Sequence, residues 1–286
     1  MSGKSIELPK MTGKTVLVTG ASSGIGRVAA RRLSAAGATV LVHGRSPERT
    51  AQVAREIGTE PLVADFARLD EVRALADKVL SRADRLDAVL HNAGALVAHR
   101  NITADGHELT FQTNHLAPFL LQRVLGPLVE RTPDSRIIVT SSEANRRGRV
   151  DLDDLDRQNG RYHAFSAYAA SKLENILFVR ELSRRLTGTG TFSVAVHPGN
   201  VATAFGSGSF FPGFFYRIPI KQFYLIAAEE GAGPLLMLAT MPDPGPADGL
   251  YYDRFAPRGK TAGQAEDADL ARGLWERSEA MVGAWL

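Results

Sequence analysis

Two residues four positions apart, Tyr168 and Lys172 in Tyr168-Ala-Ala-Ser-Lys172, carry the most explicit chemistry in the chain. They open a helical pattern, and a spacing of four puts both side chains on one helix face. A free phenol ionises at about pH 10, too high for proton transfer at neutral pH. A cation held beside it stabilises the phenolate and brings that value down. The pair reads as an acid–base device, although taken alone Tyr-x-x-x-Lys arises often by chance and reads equally as a surface Tyr and Lys. A second signal is Gly20-Ala-Ser22-Ser23-Gly24-Ile25-Gly26, directly after an apolar run and directly before a helical pattern. Glycines there permit a tight turn and let backbone approach a pyrophosphate, and the helix start offers unpaired N–H groups and a positive dipole end. A lone glycine-rich turn is a weak signal; the flanking strand and helix give it the context of a phosphate cradle. Ser141 and Ser142 end another apolar run, at the edge where doubly wound sheets bind ligands.

Such groups need a scaffold, and the chain supplies a regular one. Short apolar runs at 15–19, 39–43, 61–64 and 88–91 are rich in Val and Leu and apolar throughout, as strands buried on both faces are. Between them, 27–36, 48–57 and 70–81 have apolar residues spaced three and four apart. The rhythm continues with a helix near 116–130, a strand at 136–141, a helix near 167–186 and a strand at 192–197. Alternating strand and helix predicts an α/β fold, a single doubly wound (Rossmann-type) parallel sheet of about seven strands with helices on both faces. No linker or repeat interrupts it, so 1–286 is expected to be one catalytic domain. The chain has 286 residues, 44% hydrophobic and 23% charged, an ordinary globular composition. A net charge of +3 gives no footprint for nucleic acid. No run of residues is long and apolar enough for a membrane span, and the first residues lack a signal-peptide core, which makes the cytoplasm the default expectation. With no cysteine there are no disulfides or thiolate sites.

The spacing Gly-x-x-x-Gly-x-Gly resembles the glycine motif of the short-chain dehydrogenase/reductase family. His91-Asn92-Ala93-Gly94 resembles its Asn-Ala-Gly motif, and Pro198-Gly199 its Pro-Gly step; the likeness runs over about residues 12 to 285. It implies a hydride transfer between a nicotinamide dinucleotide and a carbonyl or alcohol. Gly20, Ser22, Ser23, Gly24, Ile25 and Gly26 would cradle the pyrophosphate, and Asp65 and Phe66 would contact the adenine. Asn92, Ala93, Gly94, Pro198, Gly199, Val201 and Thr203 would complete the cofactor site, Thr203 meeting the carboxamide. Tyr168 would give its proton to the substrate oxygen, and Lys172 would bind the nicotinamide ribose and tune Tyr168. Ser142, the second of the serine pair, would orient the substrate, while Asn114 would hold a proton-relaying water behind the lysine. The gap from Ser142 to Tyr168 is about twice the family's usual one, and it resembles the retinol-dehydrogenase-like subgroup. Thr103-Ala-Asp-Gly106, Thr113-Asn-His115 and Ser171-Lys172-Leu-Glu174-Asn175 match that subgroup too.

The preferred cofactor is expected to be NADP(H). Strand two ends in His43-Gly44-Arg45, with no carboxylate for an adenosine ribose; Gly44 leaves room for a 2′-phosphate and Arg45 can grip it with two parallel hydrogen bonds. An apolar small-molecule substrate is expected. The aromatic, Gly/Pro-broken stretch 203–226 reads as a substrate lid, as core packing, or as a peripheral membrane contact, the last not favoured. Asp151, Asp153, Asp154 and Asp156 lack the glycine of a calcium loop and read as a solvated acidic loop. Arg146, Arg147 and Arg149 read as a solvated turn, and His91, His99, His107 and His115 share no face, so no metal is expected. A homo-oligomer is left open. Two rival functions remain: a catalytically silent dinucleotide-sensing regulator, and an enone reductase on the same fold.

Overall fold

Strands form in this protein where an apolar run meets partners on both faces. The computed structural model describes residues 6–201, 226–242 and 249–286. In chain order the elements are β1 (Thr15–Val18), α1 (Gly24–Ala35), β2 (Thr39–Gly44), α2 (Pro47–Ile57), β3 (Pro61–Val63), α3 (Leu69–Arg82) and β4 (Ala88–His91). They continue with α4 (Ala117–Glu130), β5 (Arg136–Thr140), α5 (Ala164–Arg185), β6 (Phe192–His197), α6 (Ala228–Thr240), β7 (Tyr251–Asp253) and α7 (Ala268–Val282). Among the described residues the strands make one seven-stranded sheet in the order β3-β2-β1-β4-β5-β6-β7. Every pairing is parallel, with Val16 opposite Val40 on one side and Ala88 on the other.

Alternate side chains leave each strand on opposite faces, and two cores result. Leu17, Leu41, Val89, Ile137 and Ala195 pack under α3, α4, α5 and α7. Val16, Val18, Val40, Leu90, Ile138 and Val194 pack under α1 and α6. The strand order reverses between β1 and β4, and the crevice beyond their carboxyl ends is where a doubly wound sheet takes its ligand.

Three features lay outside the periodicity. A turn Leu109–Phe111 passes without break into a π-helical segment, Gln112–Leu116, and then α4. π-helical turns inside a helix are frequent at functional sites, and this one contains Asn114. Helix α7 lies over α4 and α5: Trp275 stacks on Phe178 and meets Phe119 edge to face, flanked by the guanidinium groups of Arg123 and Arg185, and Ser278 bonds His115. The polar segment between Ser142 and Tyr168 is anchored, since Gly148 presses on the Ala169 carbonyl and Val150 and Leu155 are buried. Asp151 and Asp153 are exposed as expected, but Asp156 is not part of a solvated loop. It accepts a hydrogen bond from Glu108 N at 2.9 Å and lies 3.2 Å from His107 Nδ1, partners far away in sequence. Among the described residues no helix is long and apolar enough to cross a membrane, and no group of three His, Cys, Asp or Glu is placed to hold a metal.

Candidate active site

The β1–α1 turn has the shape of an anion cradle. Gly20 and Gly24 have φ of 66° and 52°, in the left-handed region that favours glycine. A Cβ on Gly26 would lie 2.4 Å from the Gly20 carbonyl oxygen, so no side chain fits. Ser23, at the N-cap of α1, makes no side-chain cap and the first turn holds no acidic residue. By contrast Ser46 caps α2, and Glu48 sits in its first turn. An uncapped helix start behind a glycine turn fits a dinucleotide pyrophosphate, which would supply the missing acceptors.

The turn is stitched to the end of β4. Thr19 Oγ1 accepts from Asn92 N at 3.0 Å and Ala93 N at 3.1 Å, and Asn92 Nδ2 donates to the Thr19 carbonyl at 3.1 Å. The Asn92 amide thus holds the β1–α1 turn and the end of β4 together. Thr19, to which the sequence alone assigns no role, is the fully buried partner that makes this work. Ile25, Val201 and Gly231 form a further contact: a Cβ on Gly231 would lie 2.4 Å from Val201 and 3.2 Å from Ile25. Pro198 and Gly199 follow β6, Gly199 with φ of 101°. Thr203, and the stretch 203–226 except Ile226, lie outside the described residues.

Both residues expected beside the adenine have partners within the chain. The Phe66 ring points inward and stacks on His43 at 4.7 Å, so only its backbone can face an adenine. The Asp65 carboxylate accepts from Ala67 N at 3.0 Å. Gly44 itself has little room for a side chain. A Cβ there would lie 2.5 Å from Thr50 Oγ1 and 2.8 Å from Ser22 Cβ, so packing forbids the side chain whatever the cofactor. Arg45 is exposed directly after this strand end.

At the end of β5 the serine pair divides its work. Ser141 Oγ donates to the Lys172 carbonyl at 2.7 Å and fastens α5 to the sheet, while Ser142 hydrogen-bonds the Tyr168 phenol. Asn145 clamps the Ser142 carbonyl at 2.7 Å. Lys172 Nζ stands 5.4 Å over the Tyr168 ring and donates to the Thr140 carbonyl at 3.2 Å. Gly94 fits between Lys172 and Asn114, with 3.4 Å and 3.1 Å left to a Cβ. Burial pushes Tyr168 up to about 12, against the pull of the Ser142 bond, and pushes Lys172 down to about 8. The phenol is therefore protonated at neutral pH, and Lys172 does not lower its value in this state. Asn114 spends both amide hydrogens, on the Ala95 carbonyl at 2.8 Å and Ser171 Oγ at 2.9 Å, and accepts from Ala95 N at 2.7 Å. Ser171 in turn donates to the Tyr168 carbonyl at 2.8 Å. Asn114, Ser142, Tyr168 and Lys172 thus meet in one network that can deliver a proton to, and hold, a substrate oxygen.

Known proteins carry the same arrangement of chain. The family model described as short chain dehydrogenase matches residues 14–210. A protein of Streptomyces sp. strain C5 named as a daunorubicin C-13 ketoreductase is 43% identical, over 96% of this chain and 94% of its own. Human retinol dehydrogenase 13 is 36% identical, over 95% of this chain and 85% of its own. Among solved structures, an uncharacterised Mycobacterium paratuberculosis protein superposes with a TM-score of 0.79 at 33% identity, covering 97% of this chain and 96% of that one. A short chain dehydrogenase from Escherichia coli CFT073 complexed with NADPH gives 0.68 at 26% identity, covering 87% and 99%. With the family model matched over most of its length, this chain belongs to the short-chain dehydrogenase family of oxidoreductases.

Proposed function

We propose that this oxidoreductase uses NADP(H) to reduce the carbonyl group of an apolar small molecule, with Tyr168 as proton donor. The observation that carries the reading is the Tyr168 phenol bonded to Ser142, with Lys172 Nζ 5.4 Å over its ring. It stands at the same edge of the sheet as the uncapped start of α1. When bound, the dinucleotide supplies the hydride. Tyr168 hands its proton to the substrate oxygen as charge builds there, and the Ser142 hydroxyl fixes that oxygen's position. Lys172 holds a ribose hydroxyl and stabilises the phenolate left behind. Asn114 keeps the loop of Ala95 and the α5 residue Ser171 in register behind them. The names of the ketoreductase and retinol dehydrogenase relatives point the same way, to carbonyl–alcohol interconversion. Assays with decanal, benzaldehyde, cyclohexanone and cyclohexenone, each with NADPH and NADH, test the reading. Carbonyl reduction is expected; reduction only of the enone double bond, or none at all, overturns it.

Cofactor choice rests on Arg45. A charge-assisted hydrogen bond contributes about 1.5–3 kcal/mol, or roughly 10- to 150-fold in specificity. Arg45→Ala is expected to lower the kcat/KM ratio of NADPH over NADH by that factor, mostly through KM for NADPH. An unchanged ratio removes Arg45 from the site. Gly44 is left intact, because any side chain there strikes Thr50 and Ser22.

The pH dependence follows from Lys172. Its folded value of about 8 lies below the usual lysine range, so the cation is present below pH 8 and lost above it. The kcat/KM for reduction should be flat from pH 6 to about pH 8 and fall beyond, while Tyr168, at about 12, stays protonated throughout. A profile level to about pH 10 would leave the Lys172 charge without a role.

A further inference from the structure

Arg157 occupies an unusual place. It lies in the polar segment between Ser142 and Tyr168, with φ of 51°, a left-handed backbone rare for a side chain of this size. Such outliers persist where surrounding contacts over-determine them, and they invite a functional question. The side chain turns inward and is only 16% exposed. Its Nη2 donates to Glu174 Oε1 at 2.7 Å; its Nη1 donates to the Leu155 carbonyl at 2.5 Å and lies 3.8 Å from Glu108 Oε2. The guanidinium also sits 5.7 Å from the centre of the Phe111 ring.

The two carboxylates belong to different parts of the catalytic network. Glu174 is buried on α5, two residues after Lys172, on the side of the helix turned away from Tyr168. Glu108 is fully buried and caps the turn that runs into the π-helical segment, accepting from Thr110 N at 2.8 Å and Phe111 N at 2.9 Å. Tyr162 OH gives it a third bond. Asn114 follows one and a half turns later. Two buried carboxylates this near each other repel, and Arg157 is the cation that faces both. A buried ion pair is weak evidence for stability, since apolar residues of similar volume often fold as well or better. Geometry is the better-attested return.

We propose that Arg157 is a positioning residue: bridging Glu108 and Glu174, it sets the spacing between Asn114 and the Tyr168–Lys172 pair. The inference rests on the roles assigned to those three residues above. Proton delivery across hydrogen bonds of this length tolerates little slack, and a shift of about 1 Å costs on the order of 100-fold in rate.

The test uses the full chain with NADPH and benzaldehyde, or whichever carbonyl of the panel turns over fastest. Arg157→Met alone leaves two uncompensated carboxylates and can fail to fold, so the deciding variant pairs it with Glu174→Met, which removes the carboxylate the guanidinium bonds directly and leaves Glu108 with its donors from Thr110 N, Phe111 N and Tyr162 OH. That double variant is expected to melt near the wild type and to bind NADPH with unchanged Kd. Its kcat should fall roughly 10- to 100-fold, with KM for the carbonyl little changed. The solvent deuterium isotope effect on kcat should rise, because proton delivery then limits turnover. Arg157→Lys keeps the charge but not the fork that reaches both carboxylates, and should fall between. Wild-type kcat and isotope effect in either folded variant overturns the proposal. Turnover surviving in Tyr168→Phe rejects the catalytic assignment itself; a dead Tyr168→Phe beside an unimpaired double variant rejects only the bridge.

Discussion

Tyr168→Phe is expected to lower kcat for carbonyl reduction by roughly 100- to 10,000-fold, the usual contribution of a positioned general acid. The Kd for the dinucleotide should stay near wild type. The substitution keeps the ring under Lys172 Nζ and removes one oxygen, so packing of α5 is preserved. What is lost acts only as charge forms on the substrate oxygen, and an interaction made only in the transition state appears in kcat rather than in binding. Ser142 is a poor substitute acid, since an aliphatic hydroxyl donates only by becoming an alkoxide, and in this variant the donor left to its oxygen is Ala144 N at a long 3.2 Å. Steady-state kinetics beside calorimetric titration of NADPH decides the matter. Activity above a few per cent of wild type would assign the proton to another group.

Gly26→Ala should abolish useful dinucleotide binding with the catalytic network untouched. The added methyl would lie 2.4 Å from the Gly20 carbonyl oxygen and 2.7 Å from Asn92 Nδ2. The first contact is with backbone, and the second is with an amide already spent on Thr19, so neither can yield cheaply. Moving α1 away from the turn withdraws its end from the phosphates. Losing two charge-assisted hydrogen bonds costs about 3 kcal/mol or more, at least roughly 100-fold in Kd. Gly126→Ala in α4 is the control: its methyl meets Glu130 at an ordinary 3.5 Å, so affinity should not change. A Gly26→Ala protein that melts normally and binds NADPH like wild type would mean the phosphates lie elsewhere.

Both predictions stand on elements that were readable before any coordinates. Strands β1 to β6 fall within about a residue of the apolar runs, because a strand covered on both faces leaves an uninterrupted run of Val, Leu and Ile. Strand β7, Tyr251–Asp253, is as short as β3 but reads Tyr-Tyr-Asp and lacks an apolar run of Val, Leu or Ile to mark it. Helix α6 was hidden by Gly231, Gly233 and Pro234, which read as breakers; Gly231 is there because Val201 fills the space of its side chain. The site divides the same way. Residue types and spacing bring Tyr168, Lys172 and the glycine turn into view. The division of labour between Ser141 and Ser142, the filled space at Gly44, and Arg157 all depend on partners remote in sequence. Charged residues in a polar segment look solvated until the carboxylates they face are known.

The burial of α5 has a consequence for quaternary structure. From Ser171 to Val179 every residue of that helix is buried within its own chain. On its outer side α7 closes the groove shared with α4, through Trp275 and the 2.6 Å ion pair of Arg123 with Glu279. That middle stretch has no face left to offer a second copy, while the ends of the helix, with Phe165 and Arg184, reach the surface. A homodimer or tetramer of this chain would therefore have to associate through other surfaces, and its subunit contacts would be separate from the stretch of α5 around Lys172.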